Sequence, residues 1–295
     1  MAVEIIEPGT LTETLVHLTA LSQEFPRTKF IFRGHQNSQW KLCTTYDRYW
    51  PFSPLHDPEG IKRMIAQFRA GVMKLRLESP PGNNQLIWLE YGRHHGLAVP
   101  LLDFTWSPFV ALFFAFDGIR EQPKPTSSAV YALNLHQLAK KIAHRYVSSG
   151  GDARKYVQVM NEFFYHGESC LTNDIPLDRL FFIHSPSAYT QRMHAQLGVF
   201  LYSTLIFNHD QGPPSNLEEF FEDVPPGFDW PSLPNDNRPI ITKIILPHTW
   251  AGEVFNSLDI MRISGSTLYL SAEGVAKDVY NSYYYEPRAA FLRDC

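Results

Sequence analysis

The sequence predicts a single domain of mixed α+β class, and three observations support this prediction. Helical patterns and β-prone runs alternate along the 295 residues, no internal repeat is found, and hydrophobic residues make up 44% of the chain. Interleaved helices and strands are typical of a sheet covered by helices, and this apolar content can fill a sizeable core. Charged residues are only 19% of the chain, which argues against extensive disorder.

The N-terminal part of the chain predicts a helix followed by a strand. Over residues 10–25, Thr10 and Glu13 form a capping box, and leucines follow at helical spacing. Pro26 then ends the helix, and KFIFRGH (29–35) is β-prone. We therefore expect residues 1–27 to hold a helix that packs on a domain formed by residues 28–295.

The further elements are predicted from the spacing of apolar residues and from Gly and Pro residues at turns and helix ends. The predicted helices cover about 58–78, 85–95, 107–118, 248–259 and 272–284, with broken helical patterns over 136–167. The predicted strands are 99–104, 129–135, 179–184, 197–202 and 240–246. Residues 208–239 contain seven prolines and predict a long loop or insertion.

Composition limits the partners and the location of the protein. The net charge is −4, which argues against a dedicated nucleic-acid binder but leaves room for a local basic patch. Three isolated cysteines and an N-terminus without a signal-peptide pattern predict a cytoplasmic protein. The longest apolar run, 109–116, is far shorter than a membrane span, and no metal-binding motif is present, so we expect neither a membrane nor a metal partner.

Arg33 and Gly34 lie at the end of the first predicted strand, residues 29–35. A guanidinium offers five donors in a rigid fork, which suits a phosphate or a carboxylate. The alternative is an internal salt bridge, for example to Asp103. Gly34 would let a ligand or a neighbouring chain segment come close.

A polar set follows in LLDFTWS, within apolar surroundings. The carboxylate of Asp103 must find donors there or shift its pKa, and a structural role beside Arg33 is one interpretation. Thr105 and Ser107 flank a tryptophan, and Ser107 before a proline is typical of a helix N-cap.

For two further sets of polar residues, the sequence allows either a structural or a functional role. His94 and His95 are adjacent at a helix end, so they point to different faces and cannot both serve one pocket. Arg192, His194 and Gln196 alternate with other residues and would share one face of a strand. That face would line either a cleft or a solvent-exposed surface.

Four blocks together resemble the FRG domain family, which is named for a Phe/Tyr-Arg-Gly tripeptide, here Phe32–Gly34. The blocks are FIFRGHQNSQWKLCTTYDR, YGRHHGLAVPLLDFTWSPFVALFFA, YTQRMHAQLGVFLY and ITKIILP with STLYLSAEGVAKDV, and they span about 28–280. Val99-Pro100 stands where the family usually has Thr-Arg, and Arg93 where it has Gln. The resemblance implies a bacterial or phage toxin or defence context, and the missing arginine implies a changed ligand or lost activity.

A second likeness, in pattern only, is to ADP-ribosyltransferases. It implies a split, largely antiparallel sheet flanked by helices, with NAD as the substrate of a transfer or hydrolysis. Arg33 would hold the pyrophosphate, and His95 or Gln196 would position the ribose, which makes these three the catalytic candidates. The cofactor-binding candidates that this likeness implies are Arg33, Gly34, Asp103, Thr105, Ser107 and Arg192.

The same likeness implies two further roles. Phe116 or Tyr131 would stack on nicotinamide, and Glu162 or Glu168 would substitute for the glutamate that these transferases use, because Gln196 lacks the charge. The alternative function is a non-catalytic module that recognises a phosphorylated small molecule, such as a nucleotide, or a protein partner.

Overall fold

The structure is a computed structural model that describes residues 3–23, 30–48, 58–80, 85–119, 126–138, 181–184, 191–203, 216–218 and 238–285. The helices in these ranges are α1 (Leu11–Gln23), α2 (Thr45–Arg48), α3 (Pro58–Lys74), α4 (Gln85–His94), α5 (Pro108–Phe116), α6 (Gln191–Ala195), α7 (Ala251–Ile260), α8 (Gly265–Tyr269) and α9 (Ala272–Tyr285). The strands are β1 (Val3–Ile6), β2 (Phe30–His35), β3 (Leu101–Thr105), β4 (Ser127–Asn134), β5 (Phe181–His184), β6 (Gly198–Ser203) and β7 (Ile241–Pro247).

All seven strands form one sheet in the order β1-β7-β4-β2-β3-β6-β5. The edge strand β1 pairs parallel with β7, and every other pairing is antiparallel. The predicted α+β class with a largely antiparallel sheet is therefore confirmed. None of the described helices is long and apolar enough to cross a membrane.

The sheet has two halves that meet at one point. Six residue pairs join β2 to β4 and five join β3 to β6, whereas a single register pair, Phe32 with Thr105, joins β2 to β3. The two central strands therefore diverge beyond that pair. The divergence leaves space between Arg33 and Asp103 at the centre of the sheet.

One face of the sheet packs against α5 and the helices around it. Phe30 and Phe32 of β2 and Ile244 of β7 belong to one large buried apolar cluster with α1, α5, α7 and α8. Gly34 marks the closest approach, because a Cβ atom there would lie 2.0 Å from the carbonyl oxygen of Ala111. Only glycine allows the backbone of β2 to contact that of α5 in this way.

A second, smaller core lies under α3 and α4. Trp88 of α4 is buried and packs with Leu101 of β3 and Phe200 of β6. This cluster seats α4 on the second half of the sheet, so the C-terminal end of α4 lies close to β3. Arg93 reaches the diverging strands from that end.

The structure overturns one prediction and contains short elements that were not predicted. Residues 191–195 form the helix α6, and Leu197, at a φ of 48°, turns the chain before β6 begins at Gly198. The prediction that Arg192, His194 and Gln196 share a strand face is therefore wrong. The strand β1 and the helices α2 and α8 were not predicted, since all three are short, and β1 pairs with a strand distant in sequence.

Other predictions fall on parts of the chain outside the described residues. These are most of the helical patterns over 136–167 and most of the Pro-rich segment 208–239, together with Glu162 and Glu168. The division into residues 1–27 and 28–295 stays a prediction.

Candidate functional site

A cavity of about 540 Å³ opens where β2 and β3 diverge. Its walls come from these two strands, from α5 and α6, and from the segment after β2. Its lining residues are Phe32, Arg33, Gly34, His35, Gln36, Trp40, Lys41, Cys43, Arg48, Arg93, His94, Asp103, Phe104, Thr105, Ala111, Phe114, Arg192, Met193, Gln196 and Gly198. The structure thus brings Arg33, Gly34, Asp103, Thr105, Arg192 and Gln196 together around one cavity.

Arg33 lies at the centre of the gap between the two halves of the sheet. Its Nη1 donates to the carbonyl oxygen of Asp103 at 2.5 Å and lies 3.5 Å from the Oδ2 of the same residue. Its Nε donates to Nε2 of His35 at 2.9 Å. Burial lowers the pKa of Arg33 and Asp103 raises it, and the guanidinium remains charged.

Asp103 is held between two arginines. Nη2 of Arg93 donates to its Oδ2 at 2.7 Å, and Arg33 approaches the same oxygen. Burial would raise the pKa of Asp103, but the charges and hydrogen bonds of Arg93 and Arg33 outweigh this and lower it. The carboxylate is 38% exposed toward the cavity, so it stays ionised and paired.

His35 is the buried neighbour of Arg33 on the same face of β2. Because its Nε2 accepts from Arg33, its remaining proton belongs on Nδ1, which has no hydrogen-bond partner among the described residues. Burial, and next the charge of Arg33, lower the pKa of His35 to about 3. The ring packs edge-on against Tyr131 at 5.1 Å between centroids. His35 is therefore a neutral group that orients the guanidinium of Arg33.

Thr105 and Gln196 connect β3 to the wall formed by α6. The hydroxyl of Thr105 donates to the carbonyl oxygen of Gln196 at 2.7 Å and accepts from the backbone N–H of Ser107 at 3.0 Å. The side-chain amide of Gln196 donates to the carbonyl oxygen of Leu268 at 3.1 Å. Both side chains line the cavity, and both also hold neighbouring segments in place.

Arg192 enters the cavity from α6. Its guanidinium carbon lies 4.4 Å from the centroid of the Tyr269 ring. No carboxylate within the described part of the chain forms an ion pair with it.

Three predicted site residues do not reach the cavity. His95 is exposed and packs on Tyr91 at 4.4 Å between ring centroids. Ser107 caps α5, with its Oγ accepting from Val110 N at 3.3 Å. Phe116 is buried in the core around α5. Of the two adjacent histidines, His94 lines the cavity, and burial lowers its pKa.

Tyr131 also does not fit the predicted stacking role. Its ring is fully buried, and its hydroxyl donates to a carboxylate oxygen of Glu218 at 2.8 Å. Burial raises the pKa of Tyr131, and Glu218 adds to that effect. The exposed aromatic side chain of the lining is instead Trp40, at 41%.

Sequence reasoning missed the basic residues Lys41, Arg48 and Arg93. In the sequence, Arg93 stands at the C-terminus of a predicted helix, ten residues before Asp103. A basic residue is favoured there by the helix dipole, so its presence did not indicate a site. Lys41 and Arg48 lie in a segment without clear periodicity, so no pattern placed them. In the described residues, no group of three His, Cys, Asp or Glu could hold a metal ion.

The comparisons with known proteins bear on the half of the cavity built by β2, α4, β3 and α5. No curated protein matches the chain, and no solved structure does. The model of the FRG domain matches residues 28–124. This range includes Arg33, Arg93 and Asp103, while Arg192 and Gln196 lie beyond it. The chain therefore contains an FRG domain.

Proposed function

We propose that the cavity binds a phosphorylated small molecule of nucleotide size. The observation that carries this proposal is the charge of the described lining, which has one carboxylate, Asp103, and five cationic side chains. The cations are Arg33, Lys41, Arg48, Arg93 and Arg192. A concave site with one sign of charge concentrates ligands of the opposite sign.

Internal pairing uses only part of this positive charge. Asp103 is shared between Arg33 and Arg93, and Lys41 lies 3.7 Å from Glu218. Among the described residues, Asp103 can therefore neutralise only one of the two arginines around it, and Arg192 has no carboxylate partner. Planar guanidinium groups bind the oxygens of a phosphate or a carboxylate in pairs, and five cations in one cavity suit the higher negative charge of a phosphate.

The size and the aromatic lining favour a nucleotide over free phosphate. The volume of about 540 Å³ lies within the range of small-molecule sites, roughly 300–1,000 Å³. Trp40 presents an exposed ring and Phe114 a partly buried one to the same space. A base or another flat ring could stack there. NAD is the first candidate, on the predicted likeness to ADP-ribosyltransferases.

Transfer of ADP-ribose from NAD, or its hydrolysis, is the second candidate function. The single register pair between β2 and β3 favours it, because Arg33 lies at the resulting split as the likeness implied. Two observations weigh against it. Asp103 is already paired with two arginines, and the amide of Gln196 is bonded to Leu268. A glutamate from outside the described residues would be needed, so we place binding before transfer.

The cellular setting belongs to the same proposal. The resemblance to toxin and defence proteins supports a cytoplasmic FRG-domain protein that acts on a nucleotide, with a protein as the other candidate target. A transfer reaction would attach ADP-ribose to such a target, whereas hydrolysis would need water alone.

Isothermal titration with ADP-ribose and with NAD tests the binding proposal. Arg33→Gln should weaken binding by roughly 10- to 100-fold, because a charged hydrogen bond is lost. Arg33→Lys keeps the charge and should weaken it less. Lys74→Gln, on the exposed end of α3, is the matched control and should bind as the wild type does. No binding of either nucleotide by the wild type would overturn the proposal.

Release of nicotinamide from NAD, measured on the same proteins, separates the two candidate functions. Binding without release supports the module, and release that depends on Arg33 supports the enzyme.

A further inference from the structure

Arg192 differs from Arg33 and Arg93, two other arginines of the cavity, in what holds it. Arg33 and Arg93 are both fixed by Asp103, whereas Arg192 is held by an aromatic ring. A guanidinium that lies on a ring is attracted by the electron-rich face. A ring face accepts no conventional hydrogen bond, and among the described residues none accepts a hydrogen bond from the N–H groups at the edge of this guanidinium.

The ring that supports Arg192 is itself rigidly placed. Tyr269 is only 9% exposed, and its hydroxyl donates to Oδ2 of Asp117 at 2.5 Å. Oδ1 of Asp117 accepts from Nζ of Lys277 at 3.0 Å, which ties α9 to the end of α5. Burial raises the pKa of Tyr269, and the charge of Asp117 adds to it. The phenol therefore stays neutral and bonded.

A second contact fixes the backbone on which Arg192 stands. The amide of Gln196 donates to the carbonyl oxygen of Leu268, the residue before Tyr269. The segment 192–196 is thus attached to α8 at both of its ends, once through a ring and once through a hydrogen bond. The conformational entropy of Arg192 is therefore already reduced in the unliganded protein, so that less entropy is lost when a ligand binds.

We infer that Arg192, presented by the ring of Tyr269, contacts the phosphate group of the ligand through the N–H edge of its guanidinium, and that Tyr269 is its positioning residue. This inference rests on the proposed binding of a phosphorylated ligand. The ligand chemistry that fits is a phosphate ester or a pyrophosphate, because two neighbouring oxygens can accept from one guanidinium edge. Residues 28–124, which the family model matches, contain neither Arg192 nor Tyr269.

Two pairs of variants, titrated with ADP-ribose, test the inference. Arg192→Ala removes the contact, and Arg192→Lys keeps the charge without the fork. Tyr269→Leu removes the ring, and Tyr269→Phe keeps the ring but loses the hydroxyl. Arg63→Ala, an exposed arginine of α3, is the control. Each protein is titrated at low and at moderate salt, and its melting temperature is recorded without ligand.

Arg192→Ala should weaken binding by roughly 10-fold or more and should reduce the dependence of the affinity on salt. Arg192→Lys should recover only part of the loss. Tyr269→Leu should weaken binding by at least roughly threefold, whereas Tyr269→Phe, which keeps the ring, should recover most of that loss although its melting temperature falls. That difference separates positioning from a general loss of stability.

The two proposals fail in different ways. If the wild type binds ADP-ribose and Arg192→Ala binds equally well, the inference is wrong and the proposed function stands. If Tyr269→Phe and Tyr269→Leu lose binding equally and in step with their melting temperatures, Tyr269 is structural and not a positioning residue. If the wild type binds no phosphorylated ligand, the proposed function itself fails.

Discussion

The two faces of β2 use the same strand for opposite purposes. Phe30, Phe32 and Gly34 face α5, where a Cβ on Gly34 would overlap the backbone of Ala111. Arg33 and His35 face the other way and line a cavity. The pleat of the strand therefore divides the Phe-Arg-Gly tripeptide: the phenylalanine and the glycine border the cavity but pack against α5, whereas the arginine gives the cavity its charge.

From this difference we predict which substitutions reduce stability and which reduce ligand affinity. The packed face has no space for one added carbon, so changes there should cost stability. The cavity face holds charges that are paired with each other and open to solvent, so changes there should cost less stability and more ligand affinity. The predictions below test this division, beginning with the largest expected effect.

Gly34→Ala should be the most damaging single change. The added Cβ would lie 2.0 Å from Ala111 O and 2.5 Å from Ala115 N, both backbone atoms that cannot move alone. We expect a loss of about 4 kcal/mol or more in the free energy of unfolding, or failure to fold. Urea denaturation measures it. Gly71→Ala, in α3 with no atom within 4 Å of the new Cβ, is the control and should gain up to about 1 kcal/mol. Equal stability of Gly34→Ala and wild type would refute the packing account.

His35 should make the protein less stable in mild acid. Its pKa is about 3 in the folded state against 6.5 for an ordinary histidine. Between these values the unfolded chain binds more protons, so stability is complete above pH 6.5 and falls as the pH decreases toward 3. We expect a loss of about 2 to 3 kcal/mol at about pH 4.5.

The measurement is the free energy of unfolding of wild type and His35→Gln across this range. The variant should show a flatter dependence, while His17→Gln, on α1 away from the cavity, should keep the wild-type slope. Asp103 acts in a lower window, because its pKa is lowered from 3.8 and its contribution disappears only below that value. A His35→Gln curve that is as steep as the wild type would contradict the assignment.

The pair of Arg93 and Asp103 should contribute a smaller amount. Both side chains are partly exposed, at 27% and 38%, so solvent screens the attraction. A double-mutant cycle with Arg93→Gln and Asp103→Asn should give a coupling energy of about 1 kcal/mol. Additive effects of the two substitutions would show that the ion pair does not stabilise the fold.

Thr105→Val should cost about 1 kcal/mol, because the carbonyl of Gln196 and the N–H of Ser107 lose a partner inside the protein. Thr105→Ser keeps the hydroxyl and should recover most of that loss. Thermal unfolding of the two variants measures the difference. The hydroxyl would have no structural role if both melted at the same temperature.

His95→Ala should have the smallest effect of the series. The side chain lies outside the cavity on the surface of α4's C-terminal turn, so ADP-ribose affinity should stay within roughly twofold of the wild type. A large loss of affinity would place His95 back among the site residues that the sequence pattern implied.

Much of the fold could be predicted from local patterns. The capping box and the leucine spacing predicted α1, Ser107 with Pro108 predicted the start of α5, and a β-branched run predicted β7. The parallel pairing of β1 with β7 could not be predicted, because it joins residues more than two hundred positions apart. Nor could the short helix α6, whose polar residues imitate the alternation of a strand.

Site residues could be predicted only where a charged side chain interrupts an apolar run. Arg33 and Asp103 were recognisable for that reason, and they do meet. Arg93, Lys41 and Arg48 sit in polar or amphipathic segments where a basic residue needs no special explanation. These three residues line one cavity because of the way α4 and the segment after β2 pack on the sheet. Local sequence patterns do not predict that tertiary packing.

A crystal structure of the protein with ADP-ribose tests the central claim most directly. We expect phosphate oxygens within hydrogen-bond distance of the guanidinium groups of Arg33 and Arg192, between the two halves of the sheet. A ligand bound elsewhere on the protein, or bound in the cavity with its phosphates turned away from Arg33, would contradict it.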